Sequence, residues 1–309
     1  MIRMFKTKEN RLEEITQFEP GCWIDIVNPT QEEITQIATE FEIETQHITS
    51  ALDEEERAHI DTEDDYTLII VDVPIKDREG AHEYGTIPLE IIIAQNFIMT
   101  ICLQEVDVIK DFVTSKIRSF YTFKKTRFIL QLLYKNASYY LQYLRMIDKA
   151  SSRIEQELHK SMKNKELIQL LELEKSLVYF STSLRSNEIV LEKMMRMESI
   201  KQYPEDKELL EDVIIENKQA IEMANIYSNI LSGMMDAFAS VISNNLNIVM
   251  KTLTSITIVM SIPTMLSSFF GMNVPIPFQD HPQAYLCILG LSVITPIIVA
   301  MIMIKKKLF

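Results

Sequence analysis

The sequence predicts an α/β N-terminal domain followed by long α-helices and two C-terminal transmembrane helices. Three observations predict it. Short β-branched runs separated by polar turns occupy residues 1–103. From Glu105 to Tyr203 the chain has neither Gly nor Pro in 99 residues, which is the composition of long helices. After residue 240 it is nearly uncharged and holds two long apolar runs.

The N-terminal domain, 1–103, opens its clear pattern with a strand at Cys22–Val27. Asn28-Pro29-Thr30 then caps a helix from about Gln31 to Phe41, with Glu32 and Glu33 placed favourably in its first turn. Tyr66–Val73 and Leu89–Ile93 are further strands, and Gln95-Asn96 turns the second of them into Phe97–Cys102 as a hairpin. Asp53–Glu56 and Asp61–Asp65 are acidic loops, either a solvated surface or a cation-binding rim. The helical region 104–203 forms an antiparallel pair at about 124–160 and 165–200, broken near Ser161–Lys165. Pro204, Glu205 and Asp206 start a last helix, 204–270, which runs on into the first apolar run. At 1.5 Å per residue it is roughly 100 Å long.

Thr252–Gln279 contains no charge, and its apolar part, roughly Ile248–Phe270, is 23 residues long; Ala284–Ile304 is a second uncharged run of 21. A bilayer core of ~30 Å needs about 20 helical residues, so both runs span it. The link 271–283 holds Pro275, Pro277 and Pro282, and the tail 305–309 begins Lys305-Lys306-Lys307. Positive charge marks the cytoplasmic side. Lys251 and the tail therefore face the cytoplasm, the link faces out, and residues 1–240 are cytoplasmic. Both termini lie inside a multi-pass protein of the plasma or inner membrane.

Charge and motifs exclude several function classes. The chain of 309 residues carries −13, the segment after residue 240 carries +3, and the soluble part therefore carries −16. So acidic a chain lacks the basic footprint that nucleic-acid binding needs. Cys22, Cys102 and Cys287 are too far apart for a CxxC or a disulfide framework, and are expected as buried, reduced thiols. The N-terminus has no secretory apolar core and no transit-peptide composition. The five His form no HxxxH or HExxH pattern, and the six Gly form no GxGxxG or P-loop, so no enzyme is expected.

Two stripes on the last helix point to function. Ala220, Ala224, Tyr227, Leu231, Met234, Phe238 and Val241 recur at alternating spacings of 4 and 3, a heptad seam for packing in a bundle or oligomer. Asp236, Ser240, Ser243, Asn247, Met250, Thr254, Thr257, Ser261, Thr264 and Ser268 repeat the same alternation, and nine of these ten are polar. Small polar residues inside a span serve helix packing or line a water-filled pore. Two spans per chain cannot enclose a pore, so that use requires a symmetric ring of chains. Beyond the stripe, Gly271-Met272-Asn273 ends the helix and leaves Asn273 at the outer mouth. A ring of Asn carbonyls offers neutral oxygen dipoles, which suit a cation that keeps its waters, as Mg²⁺ does.

With these residues the sequence resembles the CorA family of divalent-cation (magnesium/cobalt) channels and transporters. The likeness extends over the whole chain in layout and is most specific from Asp236 to Asn273 and at Lys305–Lys307. Gly271-Met272-Asn273 matches the family signature. Asn247-Ile248-Val249-Met250-Lys251-Thr252-Leu253-Thr254 resembles its pore-helix segment, and Trp23-Ile24-Asp25-Ile26-Val27-Asn28-Pro29-Thr30 its early strand and cap. Phe270 stands where the family often has Tyr, and the outer loop has Asp280 as its sole acid. The resemblance implies a homopentameric funnel with the pore lined by the first transmembrane helix. Asn273, helped by the Gly271 carbonyl and Met272, would take hydrated Mg²⁺ at the entry. Asn247, Thr254, Thr257, Ser261, Thr264 and Ser268 would line its path, with Met250 and Leu253 closing the pore by dewetting. Lys251, Lys305, Lys306 and Lys307 form a basic collar, which also anchors lipid headgroups. Asp236 is implied as a regulatory metal ligand, so Mg²⁺ is both cargo and regulator; its partner in a neighbouring domain is left open among Asp61, Asp64 and Asp65. Co²⁺ and Ni²⁺ stay open as further cargo, and two alternatives stay open as well, a zinc transporter of the same family and, more distantly, a membrane-anchored coiled-coil adaptor.

Overall fold

The computed structural model describes residues 1–76, 83–114, 116–117, 119–161, 164–198, 203–272 and 283–306. The chain divides into two compact units, Met1–Gly233 and Met234–Phe309.

The first unit is a three-layer α/β/α arrangement around one mixed sheet. Its strands are β1 (Ile2–Lys8), β2 (Arg11–Ile15), β3 (Cys22–Val27), β4 (His59–Thr62), β5 (Tyr66–Lys76), β6 (Tyr84–Ala94) and β7 (Phe97–Cys102). Their order is β2-β1-β3-β7-β6-β5-β4, and every pairing is antiparallel except β3 with β7. The strand at 22–27 and the hairpin across Gln95-Asn96 form as expected. Three strands lie outside the expected set: β1, β2 and the short β4. Glu9 and Asn10, at φ 47° and 65°, make the two-residue turn between β1 and β2, which fits the right-handed twist of a hairpin. Asp61, expected in a loop, belongs to β4; this is an edge strand, and exposed polar side chains are what a free sheet edge tolerates.

Helices cover both faces. α1 (Gln31–Phe41) and α2 (Thr45–Ser50) lie on one, burying Ile34, Ile37 and Ile48 against Ile24, Ile26, Ile92, Met99 and Ile101. Thr30 caps α1 as expected and closes a capping box with Glu33. On the other face lie α3 (Asp107–Val113), α4 (Lys125–Ser161), α5 (Asn164–Met194) and the start of α6 (Pro204–Phe270), which bury Phe112, Phe128, Leu132, Val190, Leu191, Leu210 and Val213. Trp23 of β3 is fully buried there among Phe5, Phe120 and Phe128, and its indole donates to Thr100 at 2.9 Å. α5 ends at Met194, short of the expected 200. The amides of Arg196 and Met197 bond three residues back, to Lys193 and Met194, which tightens the chain out of the α-helix.

One contact pins α5 to the sheet. β4 stops at the pair His59↔Ile70, so β5 continues beyond it without a partner strand on that side. There Asn187 acts as the missing strand: its Oδ1 accepts the Asp72 amide at 2.9 Å and its Nδ2 donates to the Asp72 carbonyl at 2.8 Å. Asn136 and Tyr140 of α4 donate to the same carbonyl.

The second unit contains the end of α6 and α7 (Ala284–Lys305). Among the described residues, 204–270 and 285–305 form the two helices that are long and apolar enough to cross a membrane. α6 continues through Pro263, and α7 through Pro296. Large apolar side chains such as Leu253, Met260, Leu286, Val293 and Ile297 face outward, as a lipid-facing or chain-facing surface requires. Cys22 and Cys102 are buried, but Cys287, also expected inside, is exposed on α7. An apolar thiol on a spanning helix does not need a protein core to escape water.

Candidate functional site

All ten residues of the polar stripe, Asp236 to Ser268, are exposed on α6. The helix makes this a single face, because steps of 4 and 3 residues average close to the 3.6-residue turn. The heptad seam takes a different face: Ala220, Ala224, Leu231 and Phe238 are buried, while Val241 is not.

Five of the seven stripe hydroxyls are already committed as donors. Ser240 donates to the Asp236 carbonyl at 3.0 Å, Thr257 to Leu253 at 2.9 Å, Ser261 to Ile258 at 2.8 Å, Thr264 to Met260 at 3.2 Å and Ser268 to Thr264 at 2.8 Å. A hydroxyl has one proton and two lone pairs. With the proton spent on the backbone, what faces outward is a column of acceptors. Thr257, Ser261, Thr264 and Ser268 share a shallow groove with Ile256, Met260 and Met265.

The C-terminal end of α6 closes at Gly271, whose amide bonds the Ser267 carbonyl at 3.0 Å. A Cβ there would lie 3.3 Å from that same oxygen, so a side chain at this position would press on the helix end. Met272 is exposed; Asn273, Asp280 and Lys307 lie outside the described residues. Met250 and Leu253 are exposed, as are Asn247, Thr254, Lys251, Lys305 and Lys306.

Asp236 is exposed and forms no ion pair among the described residues. Asp61, Asp64 and Asp65 are also exposed, on β4 and the turn that follows, and Asp61 lies 3.3 Å from the His59 ring. Among the described residues, no group of three or more His, Cys, Asp or Glu is arranged to hold a metal ion.

Comparison with known proteins bears on this arrangement. A family model described as CorA-like Mg²⁺ transporter protein matches residues 19–306. The cobalt/magnesium transport protein CorA of Methanocaldococcus jannaschii is 28% identical over 298 residues, covering 93% of this chain and 91% of that one. The magnesium transport protein CorA of Campylobacter jejuni is 25% identical over 303 residues, covering 92% and 90%. The complete structure of the M. jannaschii CorA magnesium transporter superposes with a TM-score of 0.83 at 25% identity, covering 98% of this chain and 96% of that one. A ZntB cytoplasmic domain from Vibrio parahaemolyticus shares the fold at 12% identity and a TM-score of 0.60, covering 79% of this chain and 96% of that domain.

Proposed function

The chain belongs to the CorA-like Mg²⁺ transporter family, and from that premise we propose that it is a homopentameric membrane channel conducting hydrated Mg²⁺, with Co²⁺ as a second substrate. The observation that carries this is the exposed acceptor column of α6. Waters bound to a divalent cation point their hydrogens outward. A wall of oxygens whose own protons are engaged accepts those hydrogens and has no proton to offer an anion. No charge stands in the membrane part of the stripe, so binding stays weak enough for the ion to leave.

Asn273 and the Gly271 carbonyl form the outer ring that captures the hydrated ion. Asn247, Thr254, Thr257, Ser261, Thr264 and Ser268 carry it through the membrane. Met250 and Leu253, exposed apolar residues near the cytoplasmic end, close the pore by dewetting. Lys251 and Lys305–Lys307 ring the exit and sit among lipid headgroups, with both termini in the cytoplasm. Regulation follows from charge. Five soluble parts at −16 each bring −80 into one ring, which is costly without counterions. Cytoplasmic Mg²⁺ bound at Asp236 and an acid of the neighbouring subunit would join chains and favour the closed ring.

Metal-resolved uptake into proteoliposomes at a fixed membrane potential tests this. Mg²⁺ and Co²⁺ flux is expected. Zn²⁺ flux without Mg²⁺ flux would instead assign the chain to zinc, and the fold shared with a ZntB domain makes that the reading to compare. No flux of any divalent ion would leave the heptads and spans to an adaptor.

A further inference from the structure

Glu90 stands on β6, between β5 and β7, and is fully buried. Its cross-strand partners are Ile70 and Ile101. The row continues to Ile26 and Ile2 on one side and to His59 on the other. Paired residues share a face of the sheet. This row therefore lies on the side of α1 and α2, in the core built from Ile26, Ile48, Ala51, Ile92 and Ile101.

Neither carboxyl oxygen of Glu90 closes a well-formed hydrogen bond, and the Ala51 backbone is the nearby group that favours its charge. A charge left so would be desolvated and uncompensated, one of the costliest arrangements in a protein interior. Burial accordingly pushes its pKa up to about 8; the charge on Glu56 pushes the same way, and the Ala51 backbone opposes. The other titratable groups around it give no relief. His59 lies two strands away and is held by Glu56 at 3.7 Å and Asp61 at 3.3 Å. Tyr66 of β5 has its hydroxyl 2.8 Å from His47 and close to the Glu44 amide. Asp72, one strand across and two residues along, is itself a buried acid, with its pKa pushed up to about 6. No Lys or Arg pairs with Glu90, and no metal-binding group forms among the described residues. The ligand this site takes is a proton.

We propose that Glu90 is a proton-binding latch: with the proton bound, α2 and the acidic turn 51–58 lie closed over β6, and with the proton lost they open and let water reach the carboxylate. The turn carries Asp53, Glu54, Glu55 and Glu56, so an ionised Glu90 would face like charge as well as an apolar pocket. An open segment leaves the carboxyl near its ordinary value of about 4.3, whereas the closed one holds the proton to much higher pH. Opening is then linked to proton release, and grows about tenfold per pH unit between those two values. From pH 6 to 8 it should rise roughly 50-fold and then level off.

Hydrogen–deuterium exchange of the full chain in detergent, corrected for intrinsic amide rates, reads this directly. Protection over residues 45–58 should fall roughly 50-fold from pH 6 to 8, while β3 keeps its protection. In Glu90→Gln and Glu90→Leu the same segment should show a flat profile; the leucine variant supplies the reading if the unpaired amide disturbs packing. Either variant following the parent curve overturns the latch and refers the effect to His59. A flat parent profile overturns it as well, and so does β3 losing protection in step, which would mark unfolding of the whole domain.

Discussion

Replacing Asn187 by leucine should destabilise the N-terminal domain far more than the same change at Asn136, although both side chains are buried and both donate to the Asp72 carbonyl. The difference lies in what each removal strands. Asn187 is the acceptor for the Asp72 amide on the open side of β5. Without it that N–H is buried and unpaired, at a cost of about 1–3 kcal/mol. The carbonyl keeps Asn136 and Tyr140 as donors and loses little. Asn136 is the reverse case. Its removal leaves the carbonyl bonded to Asn187 and Tyr140, and eliminates an Oδ1 that is itself buried without a partner. The expected cost there is below about 1 kcal/mol, since removing an unsatisfied group offsets the lost bond. Thermal unfolding, followed through the near-ultraviolet signal of the buried Trp23, should show the midpoint down by roughly 4–8 °C for Asn187→Leu and by at most about 3 °C for Asn136→Leu. Equal shifts would mean that the Asp72 amide finds another acceptor, and would remove Asn187 from its role as a substitute strand.

Three further outcomes test the channel itself. Asn273→Ala should cut Mg²⁺ uptake by about tenfold or more while assembly is unchanged, because alanine offers the ion's waters no acceptor side chain; near-normal uptake would take Asn273 out of the entry site. Native mass spectrometry in mild detergent should give a pentamer, and a monomer or dimer would contradict a pore that one chain cannot enclose. Asp236→Asn should raise the internal Mg²⁺ needed for half-closure by about tenfold, within the usual range for a regulatory coupling, and leave the open-pore flux as it was; closure at the parent concentration would place regulation in other acids.

Much of the fold is legible in the sequence because local rules and burial agree. Cys22–Val27 is apolar but for Asp25, as a strand covered on both faces tends to be, and Thr30 with Glu33 spells a capping box. What the pattern hides follows from the same physics. β2 is the edge strand and β1 its neighbour, where Lys6, Lys8, Glu13 and Glu14 dilute the pattern, and their turn is Glu9-Asn10 without a glycine to announce it. β4 has four residues and one exposed acid, Asp61, which in sequence look like a loop. Glu90 leaves no trace as a site: inside Pro88–Ile93 it looks like the polar residue of a half-exposed strand. Only the helices packed over that face make it a buried, unpaired acid.

The polar stripe is legible for a different reason. Its periodicity belongs to the helix and needs no knowledge of neighbours, so the residue spacing alone reveals all ten positions. Its meaning depends on phase. Asp236 stands two residues from both Met234 and Phe238 of the heptad seam, which on an α-helix is about 200° of rotation. At that level the seam and the stripe therefore occupy opposite faces. The seam side is covered at Leu231 and Phe238, and the stripe side is open at Asp236 and Ser240. A stripe of small residues used for packing would have no need of Asp236 and Asn247 on the same line, where a charge and an amide hinder close approach. A shared aqueous axis tolerates both and gives each a use, since carboxylate and amide oxygens accept the waters of a cation. Among the described residues no three His, Cys, Asp or Glu of one chain are grouped to hold an ion, and it is this that the proposed symmetric ring of identical chains would supply.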